Sequence, residues 1–285
     1  GAGIKLGWMP PDDRLQKAID VAGESHAAIV FAGEQLGEGS DKLFFSLPCD
    51  QNRLIEEVAK VNSRTIVVLH TSTPVAMPWL DKVEAVIQAW YPGQEAGTSI
   101  ADVLFGDVNP SGKLPVTFPA DERQGPFLHW TSYPGDGGLN MIYHEGVLAG
   151  YRWYDAMNQE PLFPFGHGLS YTEFQYSDIE IFGTGKDRAV RLDVKNTGDR
   201  AGAEVVQVYV RVPEEAKEPP KQLKGFDKIM LEPGESKSVT IPLGDELLMM
   251  FDEFENEWKL FKGDYKVMVG SSSRDIRAEQ GFKIE

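Results

Sequence analysis

Residues 33–42 read GEQLGEGSDK, two glutamates, an aspartate and a lysine separated by glycines. The stretch begins where an apolar run, AAIVFA (27–32), stops. A carboxylic acid set beside glycine-rich backbone and partly buried keeps its proton to higher pH and can pass it to a leaving group. Glu34 and Glu38 are the candidate acids, and Asp41 or Lys42 could tune or orient one of them. Glycines at 37 and 39 admit positive φ and a close approach of the loop to another surface. On spacing alone Glu34 and Glu38 are more often solvated loop charges, and both readings stay open at this point.

Other site chemistries find no support in the pattern. No G-x-G-x-x-G follows a strand, and Gly185-Lys186 is followed by Asp187, so no phosphate-cradling loop is present. GLSYT (168–172) lacks the second glycine of a nucleophile elbow. His26, His70, His129, His144 and His167 show no metal-ligand spacing, and Cys49 is the only cysteine. No cofactor is expected. The formal charge of −16 disfavours a nucleic-acid partner, which needs clustered Lys and Arg. No apolar run approaches the roughly 18 residues that would span a membrane.

The elements that must position the loop are of two kinds. AAIVFA (27–32), TIVVLH (65–70) and AVIQAWY (85–91) are short apolar runs, as expected of parallel strands covered on both faces. Between the first two, Leu54, Ile55, Val58 and Val61 share one helical stripe, with Pro48 and Asp50 suited to its first turn. A second helix is predicted over 94–105, with Ile100, Val103 and Leu104 inward and Gly106 as its stop. The order β-α-β-α-β predicts an open α/β sheet, which places ligands at the carboxyl ends of its strands, where the 33–42 loop lies.

From about 121 to 176 the texture is Gly, Pro and aromatic with little helical period, as expected of an ordered connector anchored on the first domain by its rings. Beyond 177 the pattern turns all-β. Val190/Leu192/Val194, Val206/Val208/Val210, Val239/Ile241/Leu243 and Tyr265/Val267/Val269 alternate, with turns at NTGD and EPGE between strands. This predicts a β-sandwich over 177–285, after a linker (1–12), an α/β domain (13–120) and the connector (121–176).

Several blocks carry a resemblance. GEGSDKLFFSLPCDQNRLI, TSTPVAMPW, IQAWYPGQEAGTSIADVLFGDVNPSGKLPVTFP, YHEGVLAGYRWYD and PLFPFGHGLSYTEF are similar to the C-terminal part of family 3 glycoside hydrolases of the β-glucosidase type. VKNTGDRAGAEVVQVYV, QLKGFDKIMLEPGES and GDYKVMVGSSSRDI resemble the fibronectin type III-like domain that closes many of those enzymes. The resemblance implies a retaining β-glycosidase acting on a β-glucoside or oligosaccharide. Its Asp nucleophile would sit on an N-terminal (β/α)8 barrel and its acid/base Glu on the α/β sandwich domain. The counterpart of that Glu is Glu38, with Asp41 and Lys42 as neighbouring sugar contacts; Ser40 and Lys42 stand where Tyr and Arg are usual.

The barrel is expected as a separate chain or a missing region, and the α/β domain as incomplete before Ile4. The other reading is a non-catalytic carbohydrate-binding or structural piece. Glu95 is expected to cap its helix. Structural roles are expected for Tyr143, Glu145 and His167, and core packing for Trp79, Trp90 and Trp153.

Overall fold

A computed structural model of the chain describes residues 12–34, 42, 44–121, 123–126, 140 and 142–285. Its first unit is a three-stranded parallel sheet in the order β1-β2-β3, formed by Ala28–Gly33, Thr65–His70 and Ala85–Gln88. The central strand β2 is covered on both faces, with Val67, Val68 and Leu69 fully buried, which is why its sequence is an unbroken apolar run. The edge strand β1 departs from that expectation. Ile29 and Phe31 stay exposed, at 43% and 54%, because α1 (Asp12–Glu24) and α2 (Gln51–Val61) pack among the buried side chains of its other face.

α1 carries Leu15, Ala18, Ile19 and Ala22 into the core of the first unit, a stripe no sequence expectation assigned. α2 buries Leu54, Ile55 and Val58, whereas Val61, expected on the same stripe, is exposed at the helix end. β3 stops three residues short of its predicted limit. Trp90 takes a positive φ of 53° there, turning the chain so that its ring meets Phe118 edge to face at 6.2 Å. The next helix, α3 (Ala96–Phe105), ends as predicted at Gly106, whose left-handed φ of 81° closes the last turn. Glu95 precedes it but does not cap it. Its backbone (φ −89°, ψ 22°) is not extended as a capping residue requires, and its carboxylate accepts from the Thr98 hydroxyl at 3.3 Å instead.

The connector holds both units. From it Leu162 and Phe163 pack into the core of the first, beside Leu114 and Phe118 of the α/β domain, with Phe118 and Phe163 bridged as antiparallel backbone. Trp79 is fully buried there, its indole N–H donating to Asn52 at 2.8 Å. The stretch expected to lack helix contains a short one, α4 (Tyr151–Ala156). Its tyrosine, Tyr151, stacks on Phe165 and meets Tyr209 of the second unit edge to face.

The second unit is a β-sandwich. One sheet runs β13-β12-β7-β8, from Ile276–Ile284, Gly263–Gly270, Gly202–Arg211 and Gln222–Leu231. The other centres on β6 (Ala189–Asn196). β4 (Phe174–Tyr176) and β5 (Glu180–Phe182) share one edge of β6, β9 (Ser236–Pro242) lies along the other, and β10 (Met250–Asp252) pairs with β11 (Glu257–Lys259) as a separate hairpin. The predicted inward residues of β6, β7, β9 and β12 form the core between the sheets. β7 is buried on its outer face as well, because the connector covers it. Gln207 donates to the carbonyls of Gly166 (3.2 Å) and Ser271 (2.5 Å), and the Tyr209 hydroxyl donates to Gln207 at 2.6 Å. Among the described residues no helix is long and apolar enough to cross a membrane.

Candidate active-site rim

All three strands of the parallel sheet deliver polar groups from their carboxyl ends to one residue, Glu34. β1 carries it, and its N–H donates to the His70 carbonyl at the end of β2 at 3.1 Å. The loop after β2 contributes the Ser72 N–H and hydroxyl and the Thr73 hydroxyl, which reach Glu34 Oε1 at 3.1, 3.3 and 3.3 Å. The chain beyond β3 contributes the Tyr91 hydroxyl, donating to the Glu34 carbonyl oxygen at 3.2 Å. The second carboxylate oxygen accepts from Lys42 Nζ at 2.5 Å. The Glu34 side chain is only 3% exposed and that of Lys42 12%.

A buried carboxylate is costly unless charge and hydrogen bonds compensate it. Here one cation and three neutral donors do so, which makes Glu34 a tie between segments. It joins the strand that begins the 35–41 loop, the residue that follows it and the loop after β2. The Lys42 ammonium also lies 3.4 Å from both the Thr73 hydroxyl and the Pro74 carbonyl oxygen.

The preceding residue is pinned as firmly. The Gln51 side-chain amide both accepts from the Gly33 N–H and donates to the Gly33 carbonyl, each at 2.8 Å, mimicking a strand partner. Gln51 also donates to the Pro48 carbonyl at 2.9 Å, so the start of α2 and the end of β1 are held as one piece. Gln88 does similar work one strand over, donating to the Thr71 hydroxyl at 3.0 Å.

Of the residues singled out for chemistry, Glu38 and Asp41 lie outside the described residues. Lys42 is described, and its ammonium is turned onto Glu34. Gln51, Ser72, Thr73 and Tyr91 carried no expectation; the signal that could have found them is the run of short hydroxyl residues, TST (71–73), directly after a buried strand. His167 stacks on Phe163 with ring centroids 5.1 Å apart. Burial, helped by the positive charge of Lys113 and opposed by Asp275, holds its imidazole below the ordinary 6.5. Trp153 is half-buried in α4, and Tyr143 is exposed.

A parallel sheet with a polar rim at its carboxyl ends, joined by an aromatic connector to a β-sandwich, defines a two-unit α/β and all-β protein. Residues 8–171 match the model of the glycosyl hydrolase family 3 C-terminal domain, and residues 204–273 that of the fibronectin type III-like domain. The chain belongs to glycoside hydrolase family 3.

It is 44% identical over 283 residues to thermostable beta-glucosidase B of Acetivibrio thermocellus, covering 96% of this chain and 37% of that protein. Beta-glucosidase B of Emericella nidulans is likewise 44% identical, over 99% of this chain and 36% of its own length. Among solved structures, DesR, a beta-glucosidase from Streptomyces venezuelae in complex with D-glucose, superposes with a TM-score of 0.91 at 42% identity over 96% of this chain and 36% of that one. The GH3 beta-glucosidase of Bifidobacterium adolescentis gives a TM-score of 0.93 at 34% identity, over 99% of this chain and 42% of that one. The chain thus spans little more than a third of the length of these relatives.

Proposed function

We propose that the chain is the C-terminal portion of a retaining β-glycosidase of the β-glucosidase type, in which Glu38 is the acid/base. The observation that carries this reading is the tie at Glu34. Glu34 and Lys42, eight residues apart, are held together at the carboxyl edge of the sheet, and Glu38 is the sequence midpoint between them. Relatives that are β-glucosidases and cover nearly the whole chain support the substrate class.

In this reading Glu38 protonates the glycosidic oxygen as the aglycone departs, then takes a proton from the water that opens the glycosyl–enzyme intermediate. The nucleophile is an Asp on a (β/α)8 barrel of the same enzyme. Retention requires the two carboxyl groups about 5 Å apart, so the 35–41 loop must reach into the neighbouring domain. The family resemblance gives Asp41 a contact to the sugar beside Glu38. Acid/base transfer and a carboxylate nucleophile need no metal or cofactor.

The test compares leaving groups in the assembled enzyme. Glu38→Ala is expected to lower turnover of alkyl β-glucosides by about 10²–10⁴-fold, the usual worth of a general acid, and to affect aryl glucosides with acidic phenols far less, with partial rescue by azide. Equal loss on both substrates without rescue counts against Glu38. The 285-residue chain by itself is expected to hydrolyse nothing. Turnover by it, abolished by Glu38→Gln, would put the nucleophile within these residues. Tight sugar binding without turnover in either form would favour a carbohydrate-binding module.

A further inference from the structure

We infer that Lys224 is a nucleophilic amine that condenses with aldehydes, open-chain aldoses among them, at the seam between the connector and the β-sandwich. Val208 of β7 pairs with Gly225 of β8 and Tyr209 pairs with Leu223, so Lys224 is the extra residue of a β-bulge. Such a residue bends its strand and re-aims its own side chain. The start of α4 docks at this bulge. The Leu223 N–H donates to the Tyr151 hydroxyl at 2.8 Å, and the Arg152 guanidinium lies 5.9 Å from the centre of the Tyr151 ring.

Two features set this half-buried lysine apart from its like. Lys113 and Lys221 each face a buried carboxylate, Glu204 at 3.4 Å and Asp155 at 2.5 Å, which holds them as ammonium. Among the described residues no carboxylate pairs with Lys224; that of Glu218, which it feels, accepts instead from Gln222 Nε2 at 2.7 Å. Burial holds the Lys224 ammonium below the ordinary 10.5, with Glu218 opposing the shift and the positive charge of Arg152 adding to it. A desolvated lysine beside another cation is the arrangement that makes an amine nucleophilic near neutral pH. The neutral amine adds its lone pair to the aldehyde carbon. The former carbonyl oxygen takes up protons and leaves as water, giving an imine with no net oxidation. A β-glycosidase releases an aldose, but the inference does not depend on that reading.

The experiment incubates the full chain with D-glyceraldehyde and sodium cyanoborohydride near neutral pH, digests it, and reads the modified fraction of each lysine by mass spectrometry. Lys228, exposed on the same strand, is the internal reference. Each unit by which a lysine pKa falls raises its neutral fraction at pH 7 about tenfold, an effect partly offset by lower basicity. Lys224 should therefore be modified about three- to tenfold faster than Lys228. The excess should shrink above about pH 10, where the reference amine also loses its proton, and should vanish in urea, where the bulge is gone. Arg152→Gln should lower it and Glu218→Gln should raise it, each by about twofold. D-glucose in place of D-glyceraldehyde should rank the lysines in the same order.

Equal modification of Lys224 and Lys228, or none at Lys224, overturns the inference. An excess that survives urea, or that is the same at every pH, overturns it as well, because the reactivity would then belong to plain access and not to the folded site. A rise in Arg152→Gln or a fall in Glu218→Gln reverses the electrostatics on which the inference stands and has the same consequence.

Discussion

The connector is fastened to the β-sandwich at Asp155, and the consequences of cutting that fastening can be worked out. Asp155 lies in α4, with its side chain only 5% exposed. It accepts from Lys221 Nζ at 2.5 Å and pairs with Arg274 Nε at 3.1 Å. Arg274 also donates to the carbonyls of Tyr154 (3.1 Å) and Gln159 (2.9 Å), so one guanidinium closes the end of the helix and neutralises its carboxylate. Asp155→Asn preserves shape but leaves the buried Lys221 ammonium without a counter-charge and Arg274 with only the exposed Glu160 carboxylate at 3.6 Å. Removing one partner of a buried pair costs about 3–5 kcal/mol; the partial exposure of Arg274, at 26%, argues for the lower end, about 3 kcal/mol. At roughly 2 °C per kcal/mol for a chain of this size, the melting temperature should fall by about 6 °C. Calorimetry of the parent, Asp155→Asn, Lys221→Met and the double variant measures both the loss and its origin. If the pair carries it, the double variant should be at least as stable as Asp155→Asn, since it no longer strands the Lys221 ammonium. A drop below about 2 °C, or strictly additive losses, would refute the argument and leave Tyr151, Phe165 and Tyr209 as the fastening.

Two further outcomes concern other contacts of the connector. Gly168→Ala should destabilise the chain as strongly as a core truncation, because the added Cβ would sit 2.1 Å from the backbone carbonyl oxygen of Gly112, which cannot rotate away; a melt indistinguishable from the parent's would mean that the two loops part freely. The depressed pKa of His167 means the unfolded chain binds more protons than the folded one as pH falls below about 6.5, so stability should decline there and be fully present above it. His167→Gln should flatten that limb of the stability–pH curve, and an unchanged limb would assign it to other groups.

Much of the architecture was legible because periodicity reports burial. The unbroken run TIVVLH reads as a strand covered on both faces, and β2 is the middle strand of its sheet. The alternation of Val190, Leu192 and Val194 reads as one buried face, and those side chains lie in the sandwich core. The misses have the same cause. β8 and β13 are edge strands whose outward positions mix Lys, Glu and Phe, so their alternation is diluted. α4 is too short to show a helical period; six residues make fewer than two turns. Trp90 reads as the continuation of a strand, and nothing local announces its positive φ, which accompanies its packing on Phe118.

The sequence by itself determined the α/β-then-β-sandwich order, the family and the carboxylate-rich loop on which the proposed chemistry depends. Each of these is written in contiguous residues, as a period or a motif. Of two glutamates four residues apart the resemblance singles out Glu38, and only the tertiary structure gave the other, Glu34, its role. It did so by bringing Ser72 and Thr73, some 38 residues away, and Lys42 onto the first of them, so that Glu34 is spent on holding the rim together. A carboxylate becomes structural or catalytic according to which donors surround it. Those donors come from separate strands, whose meeting depends on the register of the sheet and on no pattern along the chain.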